Sequence, residues 1–465
     1  MIELNENPKD FSSSALLAEM MEKGCSPERQ EEILALLDEV KETSEAALWD
    51  YARGLAFRVN RVSDWEIRLS RLELLRRIAL RAGGPHDLRV AYAQAVFHRM
   101  NAETDTREMF KAGEQLVELS RSEMAEPEID AICACAVLNR LRISPDLTRK
   151  REDARFLYEL TERENALPRT WTAAVKGFVF LLKAEHEIEK KETVLKSLDN
   201  LFCSSGKYPE ITVAYAQALE YAVQVSFSPE KKLRIVDTLQ ELDHSLKSDV
   251  NREFAAVWEI CAKERSEWEK ARVAVRNSLS NAFAYLVASE KNPVQQCAFL
   301  AALKTEILQN RSYACFREAY ARGIASALLR QNSRHQLYLL EEARKLAEAD
   351  DRTDEISVQY AAAMLCRLFC SEDAGEIAEL LTRIANYFTQ NPNSADFHCL
   401  YASAILLTMR WEPVPEKRKV RVQLLENWRS VYRTRFADLF RMCRNEFLEY
   451  ETDAEVRRTV LDSIR

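Results

Sequence analysis

Pro209-Glu210-Ile211-Thr212-Val213-Ala214-Tyr215-Ala216-Gln217-Ala218-Leu219 is the stretch from which the fold can be read. A proline is tolerated in the first turn of a helix, where its missing N–H would have no partner, and an acid beside it meets the positive end of the helix dipole. Tyr215, Ala218 and Leu219 stand at zero, plus three and plus four, so their side chains share one stripe of that helix. The same order of a large or apolar leading residue, a small residue and an apolar one begins at Tyr51, Tyr92, Cys133, Ala174, Tyr215, Tyr320, Tyr360 and Tyr401. The first five copies are 41 residues apart and the last three 40 and 41, which makes this an internal repeat.

The columns show what each unit is built from. At plus three stand Gly54, Ala95, Ala136, Gly177, Ala218, Gly323, Ala363 and Ala404; at plus four, Leu55, Val96, Val137, Phe178, Leu219, Ile324, Met364 and Ile405. A small residue admits a neighbouring element, and the apolar one beside it is predicted to be buried. A second stripe follows at plus 24, with Leu75, Leu116, Leu157, Leu198, Leu239, Ile384 and Leu425, flanked at plus 27 and plus 21 by further apolar residues. The unit at Tyr320 is expected to carry it one residue early, as Leu340, Ala343 and Leu346. Each unit is therefore predicted to hold two helices. Ser228-Pro229-Glu230 and Ser144-Pro145-Asp146 read as helix starts, and Gly83-Gly84-Pro85 and Asn391-Pro392-Asn393 as turns.

A first helix of this composition, entered through a proline, resembles a divergent tetratricopeptide repeat over most of residues 45–435. The unit is longer than the standard repeat, and HEAT-type repeats have the right length and remain the alternative. Either resemblance implies an all-α, right-handed α-solenoid of antiparallel helix pairs, whose usual business is to bind proteins. The expected division is N-terminal capping helices over 1–44, regular repeats over 45–291, a second repeat segment over 292–435 and C-terminal capping helices over 436–465. The register places a sixth copy at Ala256, where Glu259 replaces the small residue, and the 64 residues from there to Tyr320 fit neither one unit nor two. A junction near Asn292-Pro293 is the expected consequence.

Composition points to a soluble, cytoplasmic chain. The 11 cysteines are odd in number and scattered, as reduced buried thiols are, and no apolar run approaches the length of a membrane span. No signal peptide is expected from the opening residues Met1 to Asn7. Catalytic and metal signatures fail, and neither a cofactor nor a metal is expected. His186-Glu187-Ile188-Glu189-Lys190 lacks the second histidine of a zinc-protease helix, and Cys366 and Cys370 have no companion pair. Arg58, Arg99, Arg140 and Arg367 recur at plus seven, where their guanidinium groups are expected to meet the carbonyls that end the first helix.

Two surfaces could engage a partner. Positions plus two and plus nine lie opposite the packing stripe, and are expected to be exposed and to face the groove. They are Arg53, Gln94, Cys135, Lys176, Gln217, Arg322, Ala362 and Ser403, then Asn60, Asn101, Arg142, Lys183, Gln224, Leu329, Phe369 and Arg410. None is acidic in a chain of net charge −8, which suits a protein or peptide partner carrying carboxylates. The alternative is a nucleic-acid contact through residues 410–445, where ten Lys or Arg face four acids among Trp411, Trp428, Tyr432 and Phe436.

Because each unit buries its face only against neighbours, Leu157→Ala or Leu239→Ala should cost about 2–5 kcal/mol and open the array locally. Amide hydrogen exchange should accelerate in the altered unit and its neighbours; uniform acceleration along the chain would contradict the repeat.

Overall fold

The computed structural model describes residues 12–59, 61–62, 64–81, 83–205, 208–225, 228–253, 262–310, 313–426 and 434–462. Every regular element among them is a helix, and the fold is an all-α solenoid. The chain divides into two compact units, one ending at Ala218 and the other beginning at Leu219.

The first unit holds α1 (Ser13–Met21), α2 (Pro27–Val40), α3 (Glu45–Val59), α4 (Trp65–Ala79) and α5 (His86–Ala102). It continues through α6 (Thr106–Arg121), α7 (Pro127–Ile143), α8 (Leu147–Thr161), α9 (Pro168–Ala184) and α10 (Ile188–Ser205), and α11 (Pro209–Gln224) spans the division. Odd-numbered helices are the first helices of the repeat, and each packs on the odd-numbered helix two further on, from α1 to α9. The even-numbered helices pack on the odd ones that flank them, as α8 does on α7 and α9. The terminal pair α1–α2 joins this stack although it lacks the sequence pattern.

The second unit holds α12 (Pro229–Glu253), α13 (Ala262–Ser289), α14 (Pro293–Gln309), α15 (Ala314–Leu328), α16 (Ser333–Ala347) and α17 (Asp354–Cys370). It ends with α18 (Ala374–Gln390), α19 (Ala395–Met409), α20 (Pro415–Glu426), α21 (Ala437–Tyr450) and α22 (Ala454–Asp462). The boundary expected near Asn292-Pro293 is not there: α13 packs against both α14 and α15, and Asn292 simply caps α14 by accepting a bond from the Val294 N–H. Alternation of first and second helices survives as well. The extra residues lengthen α12 and α13, and α13 carries an overlooked copy of the pattern, Leu279, Ala282 and Phe283, all buried and 41 residues ahead of Tyr320 and its stripe. The copy expected at Ala256 lies outside the described residues.

The small column does the work its size suggests. A Cβ placed on Gly177 would stand 2.6 Å from Leu157 Cδ1, one on Gly323 2.9 Å from Leu300 Cδ2, and one on Gly54 3.2 Å from Leu34 and Leu37. In each case the leucine belongs to the second helix of the preceding unit. The leading tyrosines Tyr51, Tyr92, Tyr215, Tyr320 and Tyr360 are buried beside this contact. Two local expectations shift. Ser144 ends α7, and Asp146 is the cap of α8, accepting from the Thr148 N–H. In α16 the buried stripe is Gln336, Leu339, Ala343 and Ala347, with Leu340 and Leu346 only half-buried, because the shorter unit turns the helix by about one position.

The recurrent arginines do not cap carbonyls. Arg58 donates to Gln30 Oε1 at 2.7 Å and to Glu31 at 3.0 Å, Arg140 to Asp153 at 2.9 Å, Arg99 to Glu108 at 3.3 Å, and Arg367 to Gln336 at 2.7 Å and Glu376 at 2.6 Å. The carbonyls go to the glutamine: Gln336 Nε2 donates to Leu328 O at 2.9 Å and to Gln331 O at 3.0 Å. A carboxylate or amide oxygen within reach outcompetes a carbonyl for a guanidinium because the bond is charge-assisted and often two-pronged.

Gly177→Leu should therefore cost about 1–3 kcal/mol through overpacking against Leu157, read as a lowered denaturation midpoint. A pH test addresses Glu31, which Arg71 and then Arg58 hold at about 2 against the opposing effect of burial. A depressed carboxyl adds stability that is complete above its ordinary value of 4.5 and lost as pH falls through about 2. Glu31→Gln should lower the thermal midpoint at neutral pH, and the two proteins should converge as the pH approaches 2.

Candidate cationic ridge on the first helices

Positions plus two and plus nine are seven residues apart, and a further seven back is minus five, so the three columns form one row along each first helix, about 10 Å per step. The structure divides this row into a satisfied part and an open part.

In the second unit the row is consumed internally. Asn281, the plus-two residue of the overlooked copy, donates to Glu220 at 3.0 Å and accepts from Arg322 at 2.9 Å. Arg322 also lies 3.8 Å from Glu355, and Arg435 bridges Glu355 and Asp396 at 2.6 and 3.0 Å. Ala362 and Ser403 are buried, contrary to expectation, and Phe369 is half-buried. Arg435 thus spans the starts of α17 and α19 on this face. Leu329 is exposed, and Arg410 is drawn to Glu446 and to the Phe369 carbonyl, both at 3.4 Å.

In the first unit Arg53 is likewise occupied, by Asp87 at 2.7 Å and Asp50 at 3.1 Å. This pairing shows what the plus-two and plus-nine columns alone conceal: the minus-five column carries acids, Asp87, Glu128, Glu210, Glu355 and Asp396, of which Asp87 and Glu355 reach the plus-two arginine of the first helix before their own. On α9 the minus-five residue is Arg169 instead. Arg169, Lys176 and Lys183 are all exposed and follow one another at seven-residue intervals, giving three cations on one line. Lys176 has no carboxylate partner among the described residues. Arg142 is exposed at the end of the neighbouring α7, and Cys135 lies half-buried between the two helices. Burial pushes the Cys135 thiol up although Arg169 and Lys176 are near enough to oppose it, so it is not a reactive thiolate.

The remaining residues of the row are amides. Gln94, Asn101, Gln217 and Gln224 are exposed, with Asn101 accepting from Asn139 at 2.8 Å and the Gln224 carbonyl from Tyr285 at 3.0 Å. Asn60 lies outside the described residues. The seven-residue spacing back to Arg169 was present in the sequence, and extending the row by one column would have found it.

The basic segment 410–445 is mostly paired. Arg418 binds Glu451 at 2.8 Å, Arg421 lies 3.8 Å from Glu412 and Arg441 2.7 Å from Asp438; Lys419 meets Glu455. Trp428, Arg429, Tyr432 and Arg433 lie outside the described residues. The ten described cysteines are free, but only Cys133, Cys366, Cys399 and Cys443 are buried; Cys203 and Cys370 are exposed, contrary to the expectation of buried thiols. No described helix is long and apolar enough to cross a membrane.

No protein-family model matches the chain. No curated protein sequence matches it either. Among solved structures, a full-length AP-3 complex in an intermediate open conformation, itself a homology model, is 10% identical, with 98% of this chain and 93% of that chain covered and a TM-score of 0.25. The Cnd3-Cnd2 subcomplex of S. pombe condensin is 11% identical over 97% of this chain and 70% of that one, with a TM-score of 0.24. Similarity this low carries nothing about the function of this chain, which rests on its own residues.

Arg169→Glu alone should restore the acid found at this position on the flanking helices and remove one cation from the line. The expected result is a folding stability unchanged within about 0.5 kcal/mol in denaturant unfolding, since an exposed substitution touches no core contact.

Proposed function

We propose that this chain is a non-enzymatic interaction module, a cytoplasmic scaffold, adaptor or regulator of the divergent tetratricopeptide type, that holds an acidic segment of a protein partner along α9. The observation that carries the proposal is the line of exposed cations Arg169, Lys176 and Lys183, with Arg142 beside it, since no other first helix carries a cation in all three columns. Three cations spaced along about 21 Å of helix match the carboxylates of an extended or helical peptide. Charge-assisted bonds at the rim of such a contact steer association and fix register. Exposed Gln94, Asn101 and Gln217 extend the same face with neutral donors.

The test is the double substitution Lys176→Glu with Lys183→Glu, titrated with a fluorescein-labelled oligoglutamate peptide and compared in co-purification of cellular partners. Affinity should fall about tenfold, on the order of 1.4 kcal/mol, with the thermal midpoint unchanged and the wild-type binding weakening as salt is raised. Equal affinity of the double variant and the wild type would refute an acidic partner on this row.

A further inference from the structure

A different side of α9 faces a cleft of about 470 Å³ between α8 and α10. Its origin lies in the repeat columns. In the preceding unit Arg140, at plus seven, lays its stem over Gly113, with Cδ 3.8 Å from where a Cβ would stand, and its head binds Asp153. That side chain fills the space between α6 and α8. One unit on, the residues at the corresponding positions are Leu181 for Arg140, Ala154 for Gly113 and Val194 for Asp153. A leucine is too short to cross, an alanine does not compensate, and the valine asks for no cation. The cleft stays open, with Tyr158 and Phe178 meeting edge to face at 6.2 Å along its floor.

The polar groups at its walls need nothing from outside. Thr193 Oγ1 and Ser197 Oγ donate to the backbone of their own helix at 3.0 and 3.2 Å. The mouth is cationic. Arg151 is matched by Glu185 at 2.6 and 2.8 Å, and Lys190 pairs with exposed Glu187 at 2.5 Å, but Arg155 is exposed and has no carboxylate partner among the described residues.

We propose that this cleft is a second docking site, separate from the row on the opposite side of α9, and that its occupant is a peptide segment presenting bulky apolar side chains flanked by carboxylates. An apolar floor takes up hydrocarbon without leaving a polar group unpaired, and the volume falls within the range of formed ligand pockets. The unmatched Arg155 selects acidic flanks and rejects basic ones.

The probe is a fluorescein-labelled peptide with a central phenylalanine-leucine pair between glutamates, titrated against the full chain by fluorescence anisotropy. Lysine-flanked and alanine-centred versions serve as controls and should each bind at least about tenfold more weakly. Thr193→Phe fills the mouth from an exposed position and Arg155→Glu reverses its charge; each should weaken the glutamate-flanked peptide by about tenfold or more with the helical spectrum unchanged. Should Thr193→Phe fold poorly, Arg155→Glu, fully on the surface, decides the matter. Because the glutamates also suit the cationic row, the titrations are repeated in the Lys176→Glu, Lys183→Glu background, where the peptide should still bind and both substitutions should still weaken it. Absence of binding to the wild type, unchanged affinity in Arg155→Glu, equal binding of the lysine-flanked peptide, or loss in the double variant would each overturn the proposal.

Discussion

Everything in this protein depends on how closely a first helix can approach the second helix of the unit before it. The contact is set by one column of glycine or alanine, against which a leucine of the preceding unit closes to within a distance that no larger side chain would allow. Because that contact repeats, each helix pair buries its apolar stripe only when its neighbours are present, and stability is distributed as a chain of interfaces instead of residing in one centre. The leading tyrosines and the apolar residues at plus four complete the same interface. Alanine at six of the described positions, Ala282 included, and glycine at three show that the tolerance is narrow but not uniform.

Charge is organised around this packing. Recurrent arginines on the first helices reach carboxylates and amides of second helices; Arg367 holds Gln336, which itself closes the end of α15, and Arg58 holds Gln30, which donates to the Cys25 carbonyl in the loop before α2. The arrangement links unit to unit through polar groups that are largely removed from water. Breaking one partner of such a buried pair leaves the other uncompensated, which costs about 3–5 kcal/mol, so these residues are constrained by structure and are poor candidates for partner contact. The surfaces open to a partner are those where the pattern lapses. On α9 the arginine column gives way to Leu181 and the acidic column to Arg169, and both lapses fall on one helix, placing an exposed line of cations on one side and an apolar cleft on the other.

Much of this was legible before any coordinates. The zero, three, four stripe and its near-constant spacing dictated helix pairs in a solenoid, because a period of that kind has no other way to bury its apolar faces. Leu279, Ala282 and Phe283 were equally visible, 41 residues before Tyr320, but were hidden by an insertion that shifted the count taken from Tyr215. The candidate row was half legible. Its exposed members on α5, α7 and α9 follow from helical geometry, whereas the burial of Ala362 and Ser403 leaves no trace in the local pattern.

The sequence by itself determined the class of fold, the identity of the packing columns and the helices on which a partner surface could be built, since these depend on spacings within one or two units. Only the tertiary structure decided which cations are spent and which are available. Arg53, Arg322 and Arg410 look like Lys176 in the sequence, yet each meets a carboxylate supplied by a different helix. The physical reason is that a charge is neutralised across space, by whatever side chain the packing brings within a few ångströms, and that information is not carried by any single repeat.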